Sequence, residues 1–238
     1  TPKVPYTEER VHPQNSITDR PGWLRIDSYC LGMITGWGSH HVDIAHWGMG
    51  AELTGPILVE GKAEFPTKGR WNVHGPYHIE AQYVNGVTMI IDNNFTNGVK
   101  FEGDKGWIFV SRGGAKATAS DPASAYGKAL DASDPGILNA KIGPNEIHLP
   151  RSNPTRETNR RNDIDADHVR SFLDAIKSRK DPIDPVEVGH STASLCILGN
   201  IAQLLKRKFA WDPAAERSTD AEVDRMLERP MRAPWKLS

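Results

Sequence analysis

Three histidines, an aspartate and two tryptophans crowd into residues 35–50, TGWGSHHVDIAHWGMG. Imidazole and carboxylate groups at such short spacing are the side chains that exchange protons near neutral pH or ligate a metal. Gly36 and Gly38 suit a backbone bend. Ser39 suits a helix N-cap and Gly50 a helix exit, so the spacing predicts a short helix from about Ser39. On that helix His40, Asp43, Ile44 and Trp47 stand at i, i+3, i+4 and i+7 and share one face. A stripe of this composition is expected to look toward something polar. His40, just after the Gly-x-Gly turn, is the candidate general base or hydrogen-bond donor, because a helix N-terminus disfavours its protonated form. The competing reading is a structural histidine bonded to backbone.

A metal site is the other chemistry to weigh. His40, His41, Asp43 and His46 are all competent ligands, but they lack the i, i+4 histidine spacing of H-E-x-x-H. Asp43 and His46 could chelate at i, i+3, yet no cysteine or glutamate cluster completes the set, and no metal is expected. The sequence has no G-x-G-x-x-G after a strand and no G-x-x-x-x-G-K-[ST], so it carries no recognisable nucleotide site. Ser39 lacks the G-x-S-x-G frame of a nucleophile elbow. Cys30 and Cys196 read as free thiols that serve packing. His74, Tyr77, His78, Arg112 and the Gly189-His190-Ser191 run are expected to be exposed polar positions.

These residues need a scaffold, and the flanking patterns describe one. Residues 1–22 contain four prolines and little apolar periodicity, which predicts an extended surface arm; residues 23–238 form the body. From Pro56 to Phe65 the period becomes two, with Ile57, Val59, Gly61 and Ala63 on one face. His78–Val84, Asn85-Gly86 and Val87–Ile91 read as a hairpin with a two-residue type I′ turn. Gly98–Glu102 and Trp107–Val110 form a second hairpin around Asp104-Lys105-Gly106. At least five strands joined by tight turns imply a mainly antiparallel sheet, one face covered by helices and the other open to a partner.

Gly113–Pro144 is a long stretch of weak periodicity, with Glu146–Leu149 expected to return to the sheet. The last third is helical. Val169, Phe172, Leu173 and Ile176 form an apolar stripe. Asp184-Pro185-Val186-Glu187 opens a long helix through Leu195, Leu198, Ile201 and Leu205, and Thr219-Asp220-Ala221-Glu222 caps a short one. Trp235 is expected to anchor an extended tail.

Composition closes off several classes. Twenty-nine basic and thirty acidic residues leave a net charge of −1 with no basic stripe, which argues against nucleic acid as a partner. No apolar run reaches the length of a membrane span. The first residues, TPKVPY, resemble neither a signal peptide nor an initiator methionine, and the chain is expected to be a piece lacking its front part.

The segment Gly38–Trp47 resembles the G-x-H-x-x-D-x-x-x-W stretch of the Gfo/Idh/MocA oxidoreductases, and is most similar to a bacterial subgroup reading roughly GWGxHHxDIAxWGxG. Gly98–Gly103, Gly106–Val110, Leu198–Ala202, Trp211-Asp212-Pro213 and the Arg229-Pro230 to Pro234-Trp235 ending agree in order, so the resemblance runs from about residue 20 to the C-terminus. It implies an α+β fold, an open, mainly antiparallel sheet covered on one face by helices. It further implies that this chain is the substrate-binding and oligomerising second domain. NAD or NADP would be bound by an N-terminal Rossmann domain absent from this chain, so no cofactor is expected here.

The resemblance also implies a sugar or cyclic polyol substrate and a homo-oligomer formed through the sheet. The compartment stays open between bacterial cytoplasm and export. The family's catalytic D-x-G-x-H places its histidine at His40 and its aspartate at Gly36, so one partner of the pair is missing. Trp37, His41 and Asp43 are the expected substrate-binding residues. Two other classes remain: a carbohydrate-binding or interaction module without chemistry, and a metal-dependent hydrolase or lyase using the histidines.

Overall fold

Alternating apolar and polar residues build the first sheet. The structure, a computed structural model, describes residue 7 and residues 22–111, 130–134, 160–182, 184–229, 231 and 233–236. Strands β1 (Leu58–Ala63), β2 (Tyr77–Gln82), β3 (Thr88–Asp92) and β7 (Phe209–Ala210) lie in the order β3-β2-β1-β7. Val59, Ala81 and Met89 are register partners across β1, β2 and β3 and are all buried. Gly61, Ile79 and Ile91 form the next row on the same face. The opposite face carries Glu60, Lys62, His78, Glu80, Ile90 and Asp92.

A second sheet contains β4 (Val99–Gly103), β5 (Gly106–Val110) and β6 (Leu130–Ala132), in the order β4-β5-β6. Every strand pair in both sheets is antiparallel. The antiparallel, helix-covered architecture is therefore present, with the strands divided between two sheets. Strand β6 falls inside the stretch expected to be a loop. Glu146–Leu149, Arg112 and the arm 1–22, apart from Thr7 and Gly22, lie outside the described residues.

Both hairpins occur, one with a different turn. Gly86 has φ 85° while Asn85 keeps a negative φ. The Gly86 N–H donates to the Tyr83 carbonyl at 3.0 Å, and the Tyr83 N–H donates to Val87 at 2.9 Å. This is a three-residue loop closed by a left-handed glycine, not the type I′ turn that needs two positive φ values.

The helix carrying the histidines begins earlier than its sequence suggests. A π-helical turn, Ile34–Gly38, runs directly into α1 (Ser39–Met49). Gly38 is helical at φ −59°, ψ −37°, and its N–H donates to Met33 at 2.8 Å. Ser39 is thus no N-cap; its hydroxyl donates back to the Gly36 carbonyl at 2.8 Å. The start is held instead by buried His74, whose Nε2 accepts the Ile34 N–H at 3.4 Å while Nδ1 faces the Gly75 carbonyl at 3.0 Å. The exit is as expected. Gly50 is left-handed, with Gly50 bonded to Trp47 and Ala51 to His46, the two bonds of a Schellman closure.

Helix α3 (Val186–Leu205) is the centre of the body. Leu195, Cys196, Leu198, Asn200, Ile201 and Gln203 are buried around its whole circumference, as expected of a helix enclosed by other layers. It packs on β1 and β2 and on α1. The approach to the sheet is close: a Cβ at Gly199 would stand 2.6 Å from Ile79, and one at Gly61 3.2 Å from Ala202. The helix starts one residue later than expected, with Pro185 as its extended entry. Cys30 and Cys196 are free, and burial pushes the Cys196 thiol up to about 12.

Helix α4 (Ala221–Met226) is capped by Asp220, whose carboxylate accepts the Glu222 N–H at 3.0 Å. Thr219 is not the cap. Arg207 bonds Asp220 and Glu222 at 2.5 and 3.0 Å, tying α4 to the end of α3. Trp235 is 63 % exposed, so it is not the buried anchor expected of the tail. Helix α2 (Arg160–Ser178) turns the apolar stripe Val169, Phe172, Leu173, Ile176 to solvent rather than to the core. No helix among the described residues is long and apolar enough to cross a membrane.

Candidate functional site

Helix α1 sorts its residues by face. Val42, Ala45 and His46 are buried. His40 and Trp47 are exposed, and Asp43 and Ile44 are half-buried. The stripe read from the sequence is therefore the outward one, and the apolar face beside it meets α3 and the sheets. Gly48 admits the second sheet, since a Cβ there would lie 2.3 Å from the Phe101 ring of β4.

Trp37 sits beneath both candidate histidines. Its ring centroid is 5.3 Å from that of His40, at an interplanar angle of 59°, and 5.6 Å from that of His41, at 87°. Its indole N–H donates to the Asn97 carboxamide at 3.0 Å. Asn97 comes from the turn between β3 and β4, so the second sheet's entry fixes the platform on which the imidazoles rest. His40 itself lies in the second turn of a continuous helix that begins near Ile34, not at a helix N-terminus. The dipole argument for a neutral imidazole, which holds only within the first turn, does not apply to it.

Asp43, one helical turn beyond His40, accepts a hydrogen bond from the Thr192 hydroxyl of α3 at 3.3 Å. Burial and then the neighbouring Asp184 carboxylate raise its pKa, against the Thr192 hydrogen bond and the charge of His40, which lower it. The Thr192 hydrogen bond joins α1 to α3 at the Asp43 carboxylate. Among the described residues, a Cβ at Gly36 would meet no heavy atom within 4 Å.

His46 leaves the group. It is fully buried and pairs with the Tyr83 hydroxyl of the β2–β3 loop through Nε2 at 2.6 Å. Burial lowers its pKa to about 4. Among the described residues no three His, Cys, Asp or Glu side chains are grouped to hold a metal. The exposed-position expectation fails for His74, which is buried, and for half-buried Tyr77, whose hydroxyl burial pushes up to about 12. It holds for His190, which pairs with Glu216 on the rim of a cleft of about 540 Å³ lined by Leu53, Val186, Leu195 and Trp211. That cleft contains none of Trp37, His40, His41 and Asp43.

The structure thus brings together Trp37, His40, His41 and Asp43, and adds Asn97 and Thr192, which sequence reasoning missed. Thr192 could have been sought on α3, two residues past His190. Asn97 lies in a polar turn with no motif to mark it.

Residues 153–237 match the family model described as oxidoreductase family, C-terminal alpha/beta domain, of the Gfo/Idh/MocA group. No curated protein is significantly similar to the chain in sequence. Among solved structures, it resembles the aldose-aldose oxidoreductase from Caulobacter crescentus, complexed with glycerol, at 17 % identity and TM-score 0.52, covering 79 % of this chain and 50 % of that one. It also resembles the WlbA dehydrogenase from Bordetella pertussis, in complex with NADH and UDP-GlcNAcA, at 13 % identity and TM-score 0.53, covering 85 % and 53 %. These likenesses are of fold, and the chain spans about half the length of those structures. The matched segment and the antiparallel α+β architecture agree with one another: residues 153–237 are similar to the C-terminal alpha/beta domain of the Gfo/Idh/MocA oxidoreductases, and the fold is that of the solved oxidoreductases.

Proposed function

We propose that this chain is the substrate-binding half of an NAD(P)-dependent oxidoreductase that acts on a hydroxyl of a sugar or cyclic polyol. The observation that carries the reading is exposed His40 beside the Trp37 ring, one helical turn before half-buried Asp43, on a helix face open to solvent. A neutral His40 takes the hydroxyl proton of a bound alcohol, and Asp43 stabilises the imidazolium so formed. Trp37 offers an aromatic face for the apolar side of a sugar ring, and His41 a hydrogen-bond donor at its edge. The sequence holds no glycine-rich dinucleotide fingerprint, so NAD or NADP is assigned to a separate Rossmann domain. This chain's part is confined to the substrate and its proton.

The outer face of the four-stranded sheet suits a homo-oligomer contact, because half-exposed Ile90 stands there among Glu60, Lys62, Glu80 and Asp92. Calorimetric titration tests the cofactor assignment. The complete polypeptide is expected to bind NAD(H) and residues 1–238 alone are not; binding by the latter refutes it. The glycine at position 36 favours a second reading, a carbohydrate-binding module without chemistry. His40→Ala decides between them: turnover over a panel of sugars and polyols falls at least about a hundredfold if His40 is the base, and is unchanged if it is not.

A further inference from the structure

The cleft of about 540 Å³ against the first turns of α3 contains none of Trp37, His40, His41 and Asp43. Glu187, His190, Ser191, Ser194, Leu195 and Leu198 line it. They stand at i, i+3, i+4, i+7, i+8 and i+11, so one face of α3 forms a wall. That wall is graded. It begins with exposed Glu187 and His190 and ends with Leu195 and Leu198, each 1 % exposed. At 1.5 Å per residue the gradient runs about 16 Å. Buried Trp211 adds apolar surface to the same lining.

The segments around the cleft are tied to one another. The Ser191 hydroxyl donates to the Thr54 carbonyl at 2.5 Å, and the Trp211 N–H donates to the Ile57 carbonyl at 2.9 Å. His190 Nε2 pairs with Glu216 Oε1. The loop carrying Glu216 is closed by the Asp212 N–H on the Arg217 carbonyl at 2.8 Å and by the return bond at 3.3 Å. Glu216 itself has φ 51°, a left-handed backbone that glycine adopts with less strain than glutamate. A cleft of this size with fixed walls suits a small molecule.

Charge narrows the class of that molecule. Glu187 and Glu216 line the cleft, and no lysine or arginine does. An anion is repelled there, and a neutral ligand would strip water from the carboxylates without replacing it. A cation meets them, while a hydrocarbon chain gains by covering the leucines and Trp211.

We propose that this cleft binds a primary organic ammonium with an aliphatic body, its head at Glu187 and Glu216 and its chain along Leu195, Leu198 and Trp211. Three probes with one eight-carbon chain test it in the full-length protein: n-octylammonium, octan-1-ol and octanoate. Each is titrated by calorimetry and by the indole N–H NMR signal of Trp211. Octylammonium is expected to shift that signal saturably and to bind at least about tenfold more tightly than the other two, the worth of one charge-assisted hydrogen bond. Equal or tighter binding of the alcohol or the carboxylate overturns the proposal, as does a Trp211 signal that octylammonium does not move. Glu216→Gly relaxes the left-handed backbone, so it is expected to leave the melting temperature no lower while weakening octylammonium at least about fivefold. Glu187→Gln, on the exposed first turn of α3, is expected to weaken it likewise, and unchanged affinity in both variants overturns the proposal. Binding is expected to survive His40→Ala; its loss there would place the amine in the candidate site and overturn a separate cleft.

Discussion

Trp37 donates its indole N–H to Asn97 across 3.0 Å, and both candidate histidines lean on the ring so held. Asn97 reaches the site from the β3–β4 turn and holds the indole on which the histidines lean, which makes it a positioning residue. Asn97→Ala is expected to cost about 0.5–1.5 kcal/mol in stability, the worth of one neutral hydrogen bond. It should also speed solvent exchange of the Trp37 indole proton. On the proposed reading kcat falls while KM for the nicotinamide cofactor stays constant. Asn97→Asp keeps the acceptor and restores the slow exchange. An unchanged indole signal in Asn97→Ala rules out the positioning role.

Among the described residues, a Cβ at Gly36, four residues before His40, would meet no heavy atom within 4 Å. Glycine inside a helix costs about 1 kcal/mol relative to alanine, so Gly36→Ala is expected to raise the melting temperature without a clash. Gly36→Asp places a carboxylate one helical turn before His40. It is expected to raise the pKa of His40, read by NMR titration, and to increase turnover of polyols if the proton-transfer reading holds. A variant with a shifted His40 pKa and no gain in turnover assigns the acid–base partnership to Asp43 alone.

The legibility of this chain divides by distance along it. Strands β1 to β5 were plain because alternation and turn residues are local signals, and Gly50 was plain because a left-handed exit needs glycine. The helix start departs from its sequence signal for a non-local reason. Gly36 and Gly38 look like a bend, but His74, forty residues away in sequence, accepts the Ile34 N–H and lets the helix begin ahead of them. Strand β6 exists only through pairing with β5, and its three residues carry no pattern. The Thr192–Asp43 bond spans 149 residues. Trp235, expected to anchor the tail, is 63 % exposed.

The burial of His46 makes the core acid-sensitive. Folded His46 titrates at about 4, against 6.5 for an ordinary histidine, because burial disfavours its charged form. Between those values the unfolded chain binds a proton that the folded chain refuses, so stability falls as pH drops from about 6.5 toward 4. His74, also lowered by burial, adds to the same slope. Urea unfolding at pH 7 and pH 5 is expected to show the loss, and His46→Gln to reduce it. Tyr83→Phe removes the partner of Nε2, whose companion Nδ1 has no hydrogen-bond partner among the described residues. It is expected to destabilise the protein by about 1–3 kcal/mol, the cost of a buried polar group left unmatched. A pH slope that is the same in His46→Gln would place the acid sensitivity elsewhere.

His78 works in the opposite sense on the open face of the sheet. Its Nδ1 lies 2.7 Å from Asp92, its register partner on β3, and its Nε2 lies 3.0 Å from Glu80. Two carboxylates on one ring favour the imidazolium, which donates from both nitrogens. Hydrogen bonds to Glu80 and then Asp92 raise the His78 pKa. The Asn94 N–H lowers Asp92 most, with His78 helping, and His78 lowers Glu80. The histidine's contribution to stability is complete below about 6.5 and is lost as pH rises through its raised folded value. The carboxylates' contribution is present above their ordinary values and is lost as pH falls through the depressed ones. The clamp is strongest between those limits, and its exposure to solvent keeps it below about 1 kcal/mol. His78→Gln is therefore expected to remove a small alkaline loss of stability between pH 6 and 8, read as melting temperature, while leaving the acid-side loss from His46 intact. If the outer face also forms the oligomer, the dissociation constant should show the same alkaline weakening in the parent protein and not in the variant. A dissociation constant that does not change between pH 6 and 8 excludes His78 from that contact.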